Sequence, residues 1–110
     1  MTSTIVVMES DEEILSTRDV MLRAVRAVAG YRVVEMLYCG RILVVDDLVT
    51  DASVRARGHG KALLTWLKDE GKRQGCGQVH LDSRVQREDA HRFYFREGFA
   101  ITCFHFCASV

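Results

Sequence analysis

Arg55-Ala56-Arg57-Gly58-His59-Gly60-Lys61-Ala62-Leu63-Leu64 is the stretch whose reading decides the fold. Before it comes an apolar, β-branched run, Arg41-Ile42-Leu43-Val44-Val45, which Asp46-Asp47-Leu48-Val49-Thr50 continues. After it, Leu63, Leu64, Leu67 and Gly71 recur at the spacing of one helix face, so a helix is expected to start near Gly60. Two glycines at a strand-to-helix junction let a ligand come close to the backbone. The first turn of a helix carries N–H groups without helical partners and the positive end of the helix dipole. With Arg55, Arg57 and Lys61 adding charge, the junction fits a diphosphate. A plain helix-start turn is the competing reading. The stretch is not a dinucleotide fingerprint, because Leu63 stands where the third glycine belongs. Nor is it a Walker A loop, because Ala62 follows Lys61.

Working upstream, Arg41–Val45 is apolar on both faces and reads as a central buried strand. Gly30 precedes a second strand, Tyr31 to Leu37, and Cys39-Gly40 marks a turn, so the two are expected to form an antiparallel hairpin. Thr4–Glu9 is a short strand candidate. Ser10 and Glu13 fit a capping box ahead of a loose helical stripe that ends near Arg23–Ala27. Downstream, Gly75-Cys76-Gly77 closes the Leu-rich helix, and Val79-His80-Leu81-Asp82-Ser83 is a strand. Ala90, Phe93 and Tyr94 define the buried side of another helix that Glu97-Gly98 ends. Ala100–Ala108 reads as a terminal strand, with Phe104 and Phe106 on one face and Cys103, His105 and Cys107 on the other. The order is α/β (α+β): a mixed, mostly antiparallel sheet flanked by helices.

The 110 residues are expected to form one domain. Fifteen basic and fifteen acidic residues balance. Such a chain lacks the electrostatic footprint for non-specific binding to nucleic acid or anionic membranes, so an anion must be met locally. No run of apolar residues approaches the ~18 of a membrane span. The four cysteines form no CxxC pair and the start of the sequence has no secretory pattern, which points to reduced thiols in the cytoplasm. Cys103, His105 and Cys107 would need a fourth ligand to hold a metal, and we read them as structural. Trp66 is expected to pack, and His59 to face solvent.

The Arg-x-x-Gly-x-Gly pattern of Arg55, Gly58 and Gly60, followed by Ala62-Leu63-Leu64, resembles the acetyl-CoA signature of the GNAT acetyltransferase superfamily. The match continues through Leu81-Asp82, Ala90, Phe93-Tyr94 and Glu97-Gly98-Phe99, and covers about residues 40–106. Two motifs in order and at the right spacing are more specific than either alone.

The resemblance implies an acetyl-CoA-dependent N-acetyltransferase fold and activity. By it, Leu48, Val49 and Thr50 pair with the pantetheine arm, and the N–H groups from Ala56 through Arg57, Gly58, His59 and Gly60 to Lys61 hold the diphosphate. Backbone N–H around Val49-Thr50 holds the oxyanion. Tyr94 falls where the family places the acid that protonates the leaving thiolate. Its bland alternative is a core aromatic beside Phe93 and Ala90. The base is open: Asp82 occupies a position where relatives carry a catalytic Glu, Asp46 and Asp47 end the central strand, and a water chain is a further alternative. Arg87 stands where the family often has Asn; either it meets a CoA phosphate or the usual contact is missing.

The part before Arg41 is short for the family, with room for one strand, one helix and one strand. This trimmed N-terminal part implies an open acceptor side and a homodimer that covers it. The acceptor is an amine of unnamed kind, and no metal is expected. A non-catalytic acyl-CoA-binding or assembly module is the alternative function.

Overall fold

The structure is a computed structural model that describes residues 27–50 and 58–110. The strand and helix expected within residues 4–25 lie outside the described residues, as do Arg55, Ala56 and Arg57.

Strand β1 (Ala27–Met36) and strand β2 (Gly40–Thr50) form the expected antiparallel hairpin. Gly40, at φ 76°, adopts the left-handed conformation that the turn requires. β1 begins four residues earlier than Tyr31. The reason lies in β2, whose far end reaches Thr50 and pairs with Ala27, so that the backbone of residues 27–30 also finds partners. Strand β3 (Gln78–Leu81) adds to the other side of β2 in parallel, giving the order β1-β2-β3. β2 is therefore central, as its two-faced apolar sequence requires. Ile42, Leu43 and Val45 are all buried.

Helix α1 (His59–Arg73) follows β2 and lays Leu64, Leu67 and Gly71 on the sheet. Burying each leucine contributes about 1.5–3 kcal/mol. A methyl group on Gly71 would already touch Leu43 and Val79, so a larger side chain would push the helix off the sheet. Helix α2 (Glu88–Arg96) adds Tyr94 to the same core of Leu43, Val45, Leu64 and Leu67. Trp66 meets Tyr31 edge-on at 5.9 Å, in the packing role expected of it.

Both helices end in one hydrogen-bond pattern. Gly75 N–H bonds to Lys72 C=O and Cys76 N–H to Gly71 C=O; Gly98 N–H bonds to Phe95 C=O and Phe99 N–H to Tyr94 C=O. These are Schellman motifs, with Gly75 and Gly98 at positive φ.

The terminal strand expected over Ala100–Ala108 is absent. Residues 101–110 form no ladder and are exposed throughout. Alternating apolar residues make a strand only where a neighbouring edge takes up their backbone groups, and no described strand does so here.

Candidate functional site

The site arises where two strands part. β2 and β3 pair from Ile42–Gln78 to Val45–Leu81 and no further. At that level β2 also bulges. Gly30 faces Asp47 and Tyr31 faces Val45, which leaves Asp46 as an extra residue. A bulge bends its strand and interrupts the ladder. The divergence opens a cleft of about 150 Å³. Its walls are Val45, Asp46, Asp47, Leu48 and Val49 from β2, Leu81 and Asp82 from the end of β3, and Arg87 and Tyr94 from the start and body of α2.

Seven of the residues singled out in the sequence thus share one cleft: Asp46, Asp47, Leu48, Val49, Asp82, Arg87 and Tyr94. Thr50, Gly58, His59, Gly60 and Lys61 do not line it. Thr50 ends β2, and the other four stand at the start of α1. A Cβ built on Gly60 would lie 3.5 Å from Thr50 Oγ1, so the end of β2 abuts the helix start.

Tyr94 is 9% exposed. Its ring packs against Phe93 and Phe99, at centroid distances of 5.5 and 6.0 Å. Tyr94 therefore belongs to the core and also lines the cleft. Its hydroxyl makes no hydrogen bond to another described residue. Burial pushes the phenol above its ordinary pKa, and the nearby Arg87 guanidinium opposes that shift.

The charges around the cleft are unevenly paired. Arg32 Nε donates to both Asp46 oxygens at 3.1 and 3.0 Å. His105 Nδ1 lies 3.3 Å from Asp82 Oδ2, which the sequence did not foretell. Asp47 and Arg87 have no side-chain hydrogen bond or ion pair among the described residues. Asp47 lies over Gly30, whose missing side chain leaves room for the carboxylate.

The two glycines of the junction differ. Gly58 caps α1 at φ 83° and ψ 5°, and a Cβ there would meet nothing within 4 Å. Gly60 is a packing glycine, since a Cβ there would sit 3.2 Å from the Phe93 ring. Among the described residues no side chain caps α1, and its first turn holds no acid. The helix start is thus open to an anion in the way its dipole favours. Among the described residues no three His, Cys, Asp or Glu side chains converge.

Comparison with known proteins accords with this arrangement. The model of the acetyltransferase (GNAT) family matches residues 4–99. An uncharacterized N-acetyltransferase of Bacillus subtilis, YhdJ, is 42% identical over 84 residues, which are 76% of this chain and 59% of that protein. The aminoalkylphosphonate N-acetyltransferase of Salmonella typhimurium is 36% identical over 62 residues, 56% of this chain and 40% of that protein. The chain thus spans about half the length of these curated relatives. Among solved structures, AAC(6')-Iy in complex with the bisubstrate analogue CoA-S-monomethyl-acetylneamine superposes with a TM-score of 0.69 at 16% identity, covering 92% of this chain and 80% of that one. That likeness is one of fold. With the family model spanning the hairpin, the glycine junction, the parting strands and the Tyr94 helix, the chain belongs to the acetyltransferase (GNAT) family.

Proposed function

We propose that this chain carries out acetyl-CoA-dependent N-acetylation of a small-molecule amine. The observation that carries the reading is Tyr94, a buried phenol in the cleft where β2 and β3 part, whose hydroxyl has no partner among the described residues, in a fold whose α1 start has no side-chain cap among them either. Gly58 and the first turn of α1 fit the diphosphate of CoA, because the turn opens outward and carries no acid. Leu48, Val49 and Thr50, beyond the bulge, offer backbone groups to the pantetheine arm and to the oxyanion. Arg55, Ala56, Arg57, His59, Gly60 and Lys61 complete the cofactor loop in this reading.

The acetyl donor supplies an activated thioester. A neutral amine attacks its carbonyl carbon, a C–N bond forms and the C–S bond breaks. Tyr94 donates its proton to the departing sulfur, for which a phenol kept protonated at neutral pH is suited. The proton lost by the amine goes to a carboxylate of the cleft, Asp47 or Asp82, and from there to water.

The proposed setting is the cytoplasm, where free thiols such as those of Cys39, Cys76, Cys103 and Cys107 persist. The proposed assembly is a homodimer. Its support is the exposed segment bearing Ile101, Phe104 and Phe106, beside a β3 edge that pairs with no described strand.

The test is release of free CoA thiol from acetyl-CoA, with and without a panel of primary amines. Amine-dependent release is expected. Tight binding of acetyl-CoA with no release for any amine would show a binding module instead.

A further inference from the structure

Resting on the transferase reading, we infer that the proton leaving the amine is taken by the pair Asp82–His105, with Asp82 at the cleft and the His105 imidazole behind it toward solvent. Asp82 follows the last residue of β3, at the level where β2 and β3 part, and lines the cleft. His105 does not line it, but its Nδ1 lies 3.3 Å from Asp82 Oδ2. His105 comes from residues 101–110, which form no ladder, so this contact is made by side chains alone.

Room places the step at the mouth of the cleft. The cleft measures about 150 Å³, and the pantetheine arm and thioester take it. Drug-sized ligands occupy ~300–1,000 Å³, so little space is left inside for an amine beside the arm. The amine then meets the thioester from the open side. There the side chains of His105 and Asp82 are 69% and 77% exposed, free to face an incoming molecule.

An imidazole suits the task. A base works best when its pKa lies near the working pH, which imidazole meets better than a lone carboxylate. The other three histidines are engaged elsewhere. His59 opens α1, in the turn given to the diphosphate. His80 Nε2 is 2.7 Å from Gln78 Oε1, and His91 Nε2 is 2.8 Å from Arg84 C=O. Of the cleft carboxylates, Asp46 meets Arg32, and Asp47 has no ion pair among the described residues. Asp82 is the one with an imidazole at hand.

The proton moves twice. The N–H bond of the amine breaks and an O–H bond forms on Asp82. That proton passes to His105 Nδ1, which restores the carboxylate, and the imidazolium releases a proton from Nε2 to water. His105 thus acts through Asp82. A separation of 3.3 Å is slightly long for transfer, as such contacts commonly are before the reactants bind. Other ionisable groups surround the pair. Tyr38 of the β1–β2 turn feels both Asp82 and Cys103. Asp46, Asp47, Arg87 and Tyr94 share the cleft. As classes, phenols and thiols titrate above neutral pH and carboxyls below it, so a change of charge between about pH 5 and 8 belongs to imidazole. Below that range the imidazole already holds a proton and the pair takes no other, so kcat falls as the pH falls.

The experiment follows CoA release from acetyl-CoA against pH, with ethanolamine, glucosamine and aminomethylphosphonate as acceptors. His105→Gln can still meet Asp82 but cannot take a proton. Its kcat at neutral pH should fall about 10-fold, less than the ~10²–10⁴ of a direct acid or base because Asp82 remains. Its acid limb should move to lower pH, with the KM of acetyl-CoA unchanged. Added imidazole should restore part of the kcat of His105→Ala. His105 is exposed, so the fold should tolerate both changes. In NMR spectra, Asp82→Asn should move the His105 ring resonances and leave those of His91 in place.

Three results would overturn the inference: a His105→Gln profile like that of wild type, a loss equal at every pH that imidazole does not restore, or His105 resonances unmoved by Asp82→Asn. Release of CoA with none of the three amines, in a protein whose His105 resonances do move, would remove the transferase reading instead and leave Asp82–His105 a surface ion pair.

Discussion

The N–H of Phe99 donates to the C=O of Tyr94 at 2.9 Å, and the two rings meet edge to face at 6.0 Å. This is the backbone bond of a Schellman motif together with its hydrophobic contact, and both fall on the same pair. The spacing Tyr94-x-x-x-Gly98-Phe99 thereby acquires a physical meaning. Gly98 turns the chain at φ 89°, and the turn brings Phe99 back onto the ring that lines the cleft. Lys68 of α1 donates to Glu97 C=O and lies over the Phe99 ring, tying the same corner to the first helix. The orientation of the proposed acid is thus built into a helix end.

Breaking that helix end should cost stability and activity together. Gly98→Ala forces a Cβ into the left-handed region, at about 1–2 kcal/mol. Phe99→Ala removes a half-buried ring and its aromatic contact, at about 2–3 kcal/mol, somewhat less than for a fully buried Phe. Urea denaturation would measure both. Turnover of Phe99→Ala, under conditions where it is folded, should fall as well, because the Tyr94 ring loses a wall. A variant with wild-type stability and rate would remove the positional role given to Phe99.

The two glycines of the junction should differ in what they do to CoA. Gly58→Val meets no described atom within 4 Å but puts a β-branched residue at φ 83°, so it should cost at least about 1–2 kcal/mol of stability. In the folded variant it should also weaken CoA binding at least ~10-fold, or about 1.4 kcal/mol. Gly60→Val drives a side chain into Phe93, and overpacking of this kind costs about 1–3 kcal/mol of stability. Calorimetry with acetyl-CoA on both variants, under conditions where melts show them folded, should give the larger loss of affinity for Gly58→Val. Equal losses would undo the distinction.

Glu70 should make stability sensitive to acid. Its carboxylate is buried on α1 and accepts hydrogen bonds from Arg73, Gln74 and the Tyr31 hydroxyl. The Arg73 and Gln74 bonds hold its pKa down at about 2, against 4.5 for a free Glu. A pKa lowered by folding stabilises the protein above pH 4.5, and the benefit is lost as the pH falls from 4.5 toward 2. Unfolding free energy measured from pH 6 down to pH 3 should therefore decline in the wild type. The decline should be shallower in Glu70→Gln, which cannot ionise. Parallel curves for the two proteins would show that other carboxylates govern the acid limb.

The exposed chain end should make the protein self-associate. Ile101, Phe104 and Phe106 are 69%, 82% and 92% exposed, too apolar a run to leave in water without consequence. Light scattering at micromolar concentration should give the mass of a dimer, whose interface is expected to bury at least ~1,000 Å². Phe104→Ser with Phe106→Ser should shift it to monomer. A wild-type monomer with a concentration-independent melt would rule the dimer out.

Much of this arrangement was legible in the sequence, and the remainder shares a cause. β2 was readable because Ile42, Leu43, Val44 and Val45 are apolar on both faces, which only a central strand needs. The helix ends were readable because Gly75 and Gly98 each follow a helical stripe. The place of Tyr94 came from the resemblance of Tyr94, Gly98 and Phe99 to the family's motif. By contrast, nothing local marks Asp46 as the extra residue of a bulge. Whether Gly60 is open for a ligand or for Phe93 depends on a residue 33 positions away. The Asp82–His105 pair likewise joins distant segments. The terminal strand misled because the alternation of Phe104 and Phe106 specifies a face but not a neighbour. Local chemistry was visible, and the partners that decide its use were not.

The most direct measurement is the rate of CoA release by wild type and by Tyr94→Phe, across pH, with acetyl-CoA affinity measured alongside. Phe keeps the packing against Phe93 and Phe99 and removes only the hydroxyl. General acid catalysis is worth ~10²–10⁴-fold, so amine-dependent turnover should fall by that range while acetyl-CoA binds as before. Wild-type activity should also drop at high pH as the phenol ionises, above the ordinary 10.0, and this limb should vanish in the variant. Full turnover by Tyr94→Phe at every pH would contradict the account and leave Tyr94 as a core aromatic alone.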